Sequence, residues 1–295
     1  MGTAPRVRIR FWGTRGTCPS PGPRTVRYGG NTPCLEVRAT HGGADGPIVI
    51  LDAGSGIRLL GQHLMQHGEA QRAVHVFLSH RHMDHVQGLA HFAPLFGRER
   101  AIQICCGDQE HESVPTFVTG LVAPPMFPHV DGLTRAIEIC DWPDGNRIDV
   151  GTLHVTRHAA RHPGDAAVFL VHDAKGPLVG YAPDNELGYA ETDPAVARWR
   201  AELAAFMRGV PVLVHDATYH ADELPQHRGW GHSSSAEAVR FAMECGAGTL
   251  VLFHHHPDRD DEAVERLVEA GREQVVREGG TLRVLAAWEG LGMGV

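Results

Sequence analysis

Between His80 and His85 the chain reads "HRHMDH", which sets His80, His82, Asp84 and His85 on one short turn. Imidazole and carboxylate together are the ligand types that suit zinc or another borderline divalent ion. Two histidines one residue apart on an extended turn can aim their ring nitrogens at one point. Asp84 and His85 then face a second point a few ångströms away, so the loop can serve two metals. A polar surface loop, or a single regulatory site, accounts for any one of these residues. It accounts poorly for the full spacing, which follows directly on the buried-type run "AVHVFL".

The same arrangement recurs along the chain. Polar, metal-type residues stand just past apolar runs at "RHPGD", "YAPD", "VHDAT" and "LFHHHP". Strand ends gathered at one rim of a sheet make a natural active-site edge. The runs that must position them are "VRIRFWG", "CLEVRA", "PIVILDAG", "AVHVFLSH", "AIQICCG", "TLHVTRHA", "AAVFLVHD", "PLVGYAPD", "VPVLVHDAT", "TLVLFHHH" and "LRVLAAWEG". Several are continuously apolar, as strands buried on both faces are.

Between them lie amphipathic stretches: "SGIRLLGQHLMQHG", one beginning near Val86, one over roughly Pro194–Arg208, "SSSAEAVRFAMECG" with a serine cap and a glycine stop, and one over roughly Asp261–Glu278. Strands alternating with helices give an α/β layered fold with helices covering sheets. The whole chain, residues 1–295, reads as one domain without an internal repeat. Residues 107–149, richer in Pro and Gly, read as an insertion or lid.

Composition narrows the function. The net charge is −8, so a polyanion would have to be met locally, and a general nucleic-acid binder is disfavoured. No run approaches the ~20 apolar residues that cross a bilayer. The start, "MGTAPRVRIRFWG", shows no apolar signal region, which makes a cytoplasmic enzyme the default expectation. Cys18, Cys34, Cys105, Cys106, Cys140 and Cys245 have no paired C-x-x-C spacing and are expected to be reduced, mostly buried thiols.

With these stretches in order, the chain resembles the metallo-β-lactamase fold superfamily of metallohydrolases, closest to the branch of ribonuclease Z and cyclic-nucleotide phosphodiesterase-like proteins. The resemblance rests on "FWGTRGTCPSPGPRTVRYGGNTPCLEV", "VILDAGSGIR", "LSHRHMDHVQGL", "HPGDAAVFL", "YAPDNE", "VHDATYHADE", "GHSSSAEAV" and "LVLFHHHPDRDD". It implies a four-layer αββα sandwich of two mixed β-sheets flanked by helices.

It also implies two divalent metal ions, zinc first, with manganese or iron able to use the same ligands. His80, His82 and His162 would bind the first, Asp84, His85 and His254 the second, and Asp184 would bridge them, leaving room for an attacking hydroxide. "TRHAARHPG" offers His158 beside His162, and "HHH" offers His255 and His256 beside His254. His162 is chosen because it precedes Pro-Gly, and His254 because it follows the Leu-Phe strand end.

The superfamily hydrolyses β-lactams, thioesters, lactones and phosphodiesters, so fold alone gives no substrate. His232 in G-H-S-S resembles the branch's general-acid histidine, and Asp216 in H-D-A-T resembles the acidic residue that orients it. Asp84 joins these two as a catalytic residue. A phosphodiester needs such a pair because the departing alkoxide needs a proton. A capping-loop histidine without a catalytic role is the plain alternative for His232.

The expected substrate is a small phosphodiester, foremost a 3′,5′-cyclic nucleotide. Ribonuclease Z-like RNA 3′ processing is the nearest rival, weakened because no glycine-rich basic arm is present. A hydrolase of a lactone, thioester or β-lactam is another, and a metal-binding scaffold without turnover a third. A homodimer is a further expectation. Asp52 and Gly54 are read as support for the histidine loop, His215 as a packing residue, and His220 and His227 as loop residues near the rim. Asn31 would stand at the site edge. Arg15, Arg24 and Arg27 are read as phosphate contacts or solvated arginines, and Met126 and Phe127 as a wall for a base or ordinary loop packing.

Overall fold

The computed structural model describes residues 4–40, 46–96, 102–107, 114–130, 136–188 and 193–295. In its first half, strands β1 (Val7–Gly13), β2 (Cys34–Ala39), β3 (Ile48–Leu51), β4 (Val74–Leu78), β5 (Ile102–Cys106) and β6 (Ile137–Ile139) follow in chain order. Helices α1 (Ile57–Gln66), α2 (Met83–Val86) and α3 (Val114–Leu121) connect the later ones. The second half contains β7 (Arg147–Val150), β8 (Leu153–Ala159), β9 (Ala167–Asp173), β10 (Gly176–Ala182), β11 (Val212–Asp216), β12 (Thr249–Phe253) and β13 (Arg283–Ala286). Its helices are α4 (Pro194–Phe206), α5 (Ser235–Glu244) and α6 (Asp261–Arg277), and a short β14 (Gly292–Gly294) closes the chain.

The strands form two seven-stranded sheets, ordered β14-β1-β2-β3-β4-β5-β6 and β13-β12-β11-β10-β9-β8-β7. In each sheet four strands pair antiparallel and the pairings then turn parallel, at β3–β4 in one and β10–β11 in the other. The sequence carries no repeat, yet both halves obey the same plan. Topology is set by apolar patterning and connection length, which many sequences satisfy.

Apolar side chains fill three layers. Phe11, Phe77, Phe169, Tyr181 and Phe253 are buried between the sheets. Ile50, Val76 and Ile104 pack outward with Leu60, Leu64 and Val118 of α1 and α3. Leu213, Leu250 and Leu252 pack with Leu203, Phe241 and Leu267 of α4, α5 and α6. This is the four-layer αββα sandwich. Each full burial of such a side chain contributes about 1.5–3 kcal/mol against leaving it in water. Strands buried on both faces therefore read as unbroken apolar runs.

Three readings change. The helix expected near Val86 instead ends there, and α2 holds Asp84 and His85 itself with His82 as its N-cap. Within 107–149 the described residues supply α3 and the strands β6 and β7, which pair with β5 and β8. The cysteines are not all reduced: Cys105, in β5, is bonded to Cys140 just beyond β6, with Cα atoms 5.0 Å apart. Parallel pairing of β5 and β6 brings together residues whose separation along the chain gave no sign of it.

Candidate metal centre

The C-terminal ends of β3, β4, β10, β11 and β12 meet at one rim, where their following residues converge. His80 leaves β4, Asp184 leaves β10, Asp216 ends β11 and His254 follows β12. His162 comes from the loop after β8, and His232 from the loop before α5. Ligand-type atoms come within 4.8 Å of one another in the groups His80–His82–His162, His80–His85–Asp184 and Asp84–His85–His254. Asp184 stands between them: Oδ1 is 3.0 Å from His85 Nε2 and 3.2 Å from His254 Nε2, and Oδ2 is 3.8 Å from both His80 Nε2 and His162 Nε2. All seven candidate ligands are thus in one cluster. His158 stays outside it, its Nδ1 donating to the Ala159 carbonyl at 3.0 Å.

The protons on the rings follow from their partners. Ser79 Oγ–H donates to Asp52 Oδ2 at 2.9 Å, so the same oxygen accepts from His80 Nδ1 at 3.1 Å. Thr218 Oγ1–H donates to the His254 carbonyl at 2.9 Å and accordingly accepts from His254 Nδ1 at 3.0 Å. His85 Nδ1–H donates to Asp52 Oδ2 at 2.8 Å, and His162 Nδ1–H to the Gly231 carbonyl at 3.0 Å. With Nδ1 so engaged, each ring turns Nε2 inward toward two carboxylates, and presents a lone pair there when the ring is neutral. Among the described residues, buried His80 Nε2, His85 Nε2 and Asp184 Oδ1 make no hydrogen bond of good geometry, although His85 Nε2 and Asp184 Oδ1 lie 3.0 Å apart. Converging buried acceptors without donors fit cations, and imidazoles oriented through their far nitrogen are a usual support of metal ligands.

Charge coupling divides the rings. Burial, with His85, His162 and His82 adding to it against Asp184, pushes the His80 imidazole well below its ordinary range. Burial opposes the charged form of His85 too, but Asp184, Asp84 and Asp52 hold it well above the ordinary range. Asp84 and Asp184 are buried, which alone would raise them. His85 and His254 depress both far below the usual carboxylate range.

Asp216 and His232 adjoin the cluster, with His232 Nδ1 3.9 Å from Asp184 Oδ2. His232 Nδ1–H donates to Asp216 Oδ2 at 2.6 Å, while Asp216 Oδ1 accepts from the Thr218 amide at 2.9 Å. Burial lowers the His232 imidazole, but Asp216 outweighs it, with Asp184 and Asp84 assisting, and it is raised to about 9. A cleft of about 390 Å³ opens over both groups, with Met83, Pro163, Tyr219, Trp230 and Pro257 in its walls.

Residues 48–255 match the family model of the beta-lactamase superfamily domain. The chain belongs to the β-lactamase superfamily. It is a hydrolase of the metallo-β-lactamase fold, and divalent metal ions are what that fold implies. A ribonuclease Z of Haloarcula marismortui is 24% identical, over 92% of this chain and 94% of that one. Among solved structures, unliganded yeast PDE1 superposes with a TM-score of 0.73 at 14% identity, covering 99% of this chain and 100% of that one. The short form of human tRNase Z superposes with a TM-score of 0.61 at 18% identity, covering 98% and 99%.

In this superfamily member the supporting residues divide into the foreseen and the missed. Asp52 has the hydrogen-bonding part expected of it, accepting also from the Ser79 amide at 2.7 Å and from Tyr181 OH at 2.8 Å. His215 is buried with Nδ1 donating to the Asp216 carbonyl at 2.8 Å, and His227 stacks on Tyr219 at 4.3 Å.

Where two readings stood side by side, the packing selects between them. Arg15 is wholly buried, and its guanidinium donates to the carbonyls of Gly29, His256 and Arg259, so it ties turns together. Arg27 pairs with Glu265. Asn31 is held by Glu289 and Ser55, away from the cleft. Phe127 packs on His91 and Phe96, and neither it nor Met126 lines the cleft. Of "HHH", His254 is the member that joins the cluster, as expected, while His255 Nε2 donates to the Ala287 carbonyl at 2.8 Å.

Unforeseen were Tyr181, Thr218 and the contacts that Gly16 and Thr17 make with the site, although "GTRGTCP" reads as a turn. The Thr17 amide donates to Asp84 Oδ2 at 2.8 Å, and a Cβ on Gly16 would fall inside the His254 imidazole. Thr17, Asp52 and His254 all have positive φ, at 64°, 62° and 58°. Such strain in non-glycine residues persists only where the surroundings over-determine it, and it collects at functional sites. The glycine of "GTRGT" was the available signal.

Proposed function

We propose that the chain hydrolyses a small phosphodiester, foremost a 3′,5′-cyclic nucleotide, with His232 as general acid. The observation that carries this is the 2.6 Å contact of His232 Nδ1 with Asp216 Oδ2, beside the ligand cluster. Divalent cations, zinc first and manganese or iron as substitutes, would be held by His80, His82 and His162 on one side and Asp84, His85 and His254 on the other, with Asp184 between, and would supply an activated water and charge neutralisation.

The chain's own residues do the rest. Asp216 fixes the ring and favours its protonated form, so that Nε2 keeps a proton to give to the departing oxygen. Ser79, Asp52, Thr218 and the Gly231 carbonyl hold the imidazoles of His80, His85, His254 and His162 in one tautomer. Tyr219 and Trp230 offer apolar surface to a base, and about 390 Å³ is within the range of small-ligand sites. Acyl transfer has less use for a separate acid pair.

The test is a substrate panel on metal-loaded protein: an aryl phosphodiester, 3′,5′-cyclic nucleotides, a transfer-RNA precursor, a lactone and a β-lactam, with His232→Ala beside the native chain. Turnover of phosphodiesters that depends on His232 is the expected result. Turnover of a lactone or β-lactam with phosphodiesters untouched overturns it. RNA 3′ processing is the second reading, favoured by the relative named ribonuclease Z, and cleavage of the precursor in preference to cyclic nucleotides would select it.

A further inference from the structure

A second cleft lies on the outer face of the first sheet. On β1, Val7, Ile9 and Phe11 face the core between the sheets, so Arg8 and Arg10 face outward. Arg8 stands opposite Arg38 of β2 and Gly294 of β14, and Arg10 opposite Glu36 and Gly292. A column without side chains thus runs beside a column of guanidiniums. The cleft so formed measures about 510 Å³, is reached by His63 of α1, and shares no lining residue with the metal centre.

Its charges are not balanced from within. Glu36, the carboxylate of the cleft, accepts from Trp12 Nε1 at 2.9 Å and pairs with Arg38, which also reaches Glu69 at 2.8 Å. Among the described residues the guanidiniums of Arg8 and Arg10 have no hydrogen-bond or ion-pair partner. The buried Nε of Arg10 has no acceptor among the described residues, and its guanidinium lies 4.1 Å over the Trp12 ring. Like charges directly opposite across an antiparallel pair, as Arg8 and Arg38 are, destabilise it. An unpaired buried donor adds to that cost.

One ligand chemistry offsets both costs. A phosphate presents several charged oxygens that planar guanidinium forks meet bidentately. We propose that this cleft binds the phosphate group of a small phosphorylated ligand, apart from the metal centre. A net charge of −8 opposes a long polyanion, whereas a compact phosphate is met locally. The volume lies within the range for a small molecule.

Isothermal titration of the metal-loaded chain with inorganic phosphate tests this. The native chain should show a saturable event that Arg8→Ala with Arg10→Ala weakens at least tenfold. Gly292→Leu should abolish it by filling the cleft. A Cβ at 292 has the Ile9 carbonyl oxygen at 3.9 Å as its nearest neighbour, so the substitution is accommodated. Both variants should keep the native rate on an aryl phosphodiester or, if that is not a substrate, the native melting temperature. Isotherms of both variants that overlay the native one overturn the proposal. So does a phosphate event confined to the native metal centre and lost entirely on chelation.

Discussion

At the scale of single residues the sharpest claim concerns a proton. If Nε2 of His232 protonates the leaving oxygen, its worth depends on how badly that oxygen needs one. His232→Ala should lower kcat/KM for an alkyl-leaving phosphodiester by roughly 10²–10⁴-fold and affect a p-nitrophenyl ester far less. Metal content, measured by inductively coupled plasma mass spectrometry, should not change. Equal losses on both esters would leave His232 a structural residue.

The pH profile provides an independent check. A general acid works while protonated, so activity is present below its pKa and lost as pH rises through it. Asp216 raises His232 to about 9, and nearby cations oppose the charged ring, so the falling limb stands at or below that value. Asp216→Asn removes the raising charge and should move the limb to lower pH. A limb that stays in place excludes Asp216 as its cause.

At the scale of elements, the cluster depends on how strands end. The turn after β1 approaches the residue after β12 so closely that position 16 has no room for a side chain. Gly16→Ala should therefore displace the His254 ring and lower metal affinity by roughly tenfold or more, as losses of outer support for metal ligands do. Far-ultraviolet circular dichroism should stay native. Competition with a chromophoric chelator reads the affinity, and an unchanged value would show that the ring has room to move. Helix α5 contributes in another way: Ser234 and Glu237 form a capping box, and that fixed start holds the loop carrying His232.

At the scale of the whole molecule, two sheets press their rims together over buried carboxylates and imidazoles. Cations that bind the folded state alone stabilise it by mass action, by about 2.7 kcal/mol at a hundredfold excess over Kd. Chelation should lower Tm by several degrees, with full recovery on adding zinc back, measured by differential scanning calorimetry. A Tm indifferent to chelation would mean that the cluster holds no tightly bound ion. Among the described residues no helix is long and apolar enough to cross a membrane.

Local features of the sequence announced the chemistry. The spacing from His80 to His85 lies on one turn, so its capacity for metal was legible without a fold, and unbroken apolar runs marked most of the strands. Short edge strands such as β6, β7 and β14 carry little apolar pattern and take their place from neighbours already in the sheet. Other relations exist only after folding. Asp52 meets Tyr181, Gly16 makes room for His254, Cys105 reaches Cys140, and Arg15 is buried among carbonyls instead of facing a phosphate. Spacing constrains what neighbouring residues can reach. The packing of two sheets decides which distant backbone atoms fall within a hydrogen bond of them.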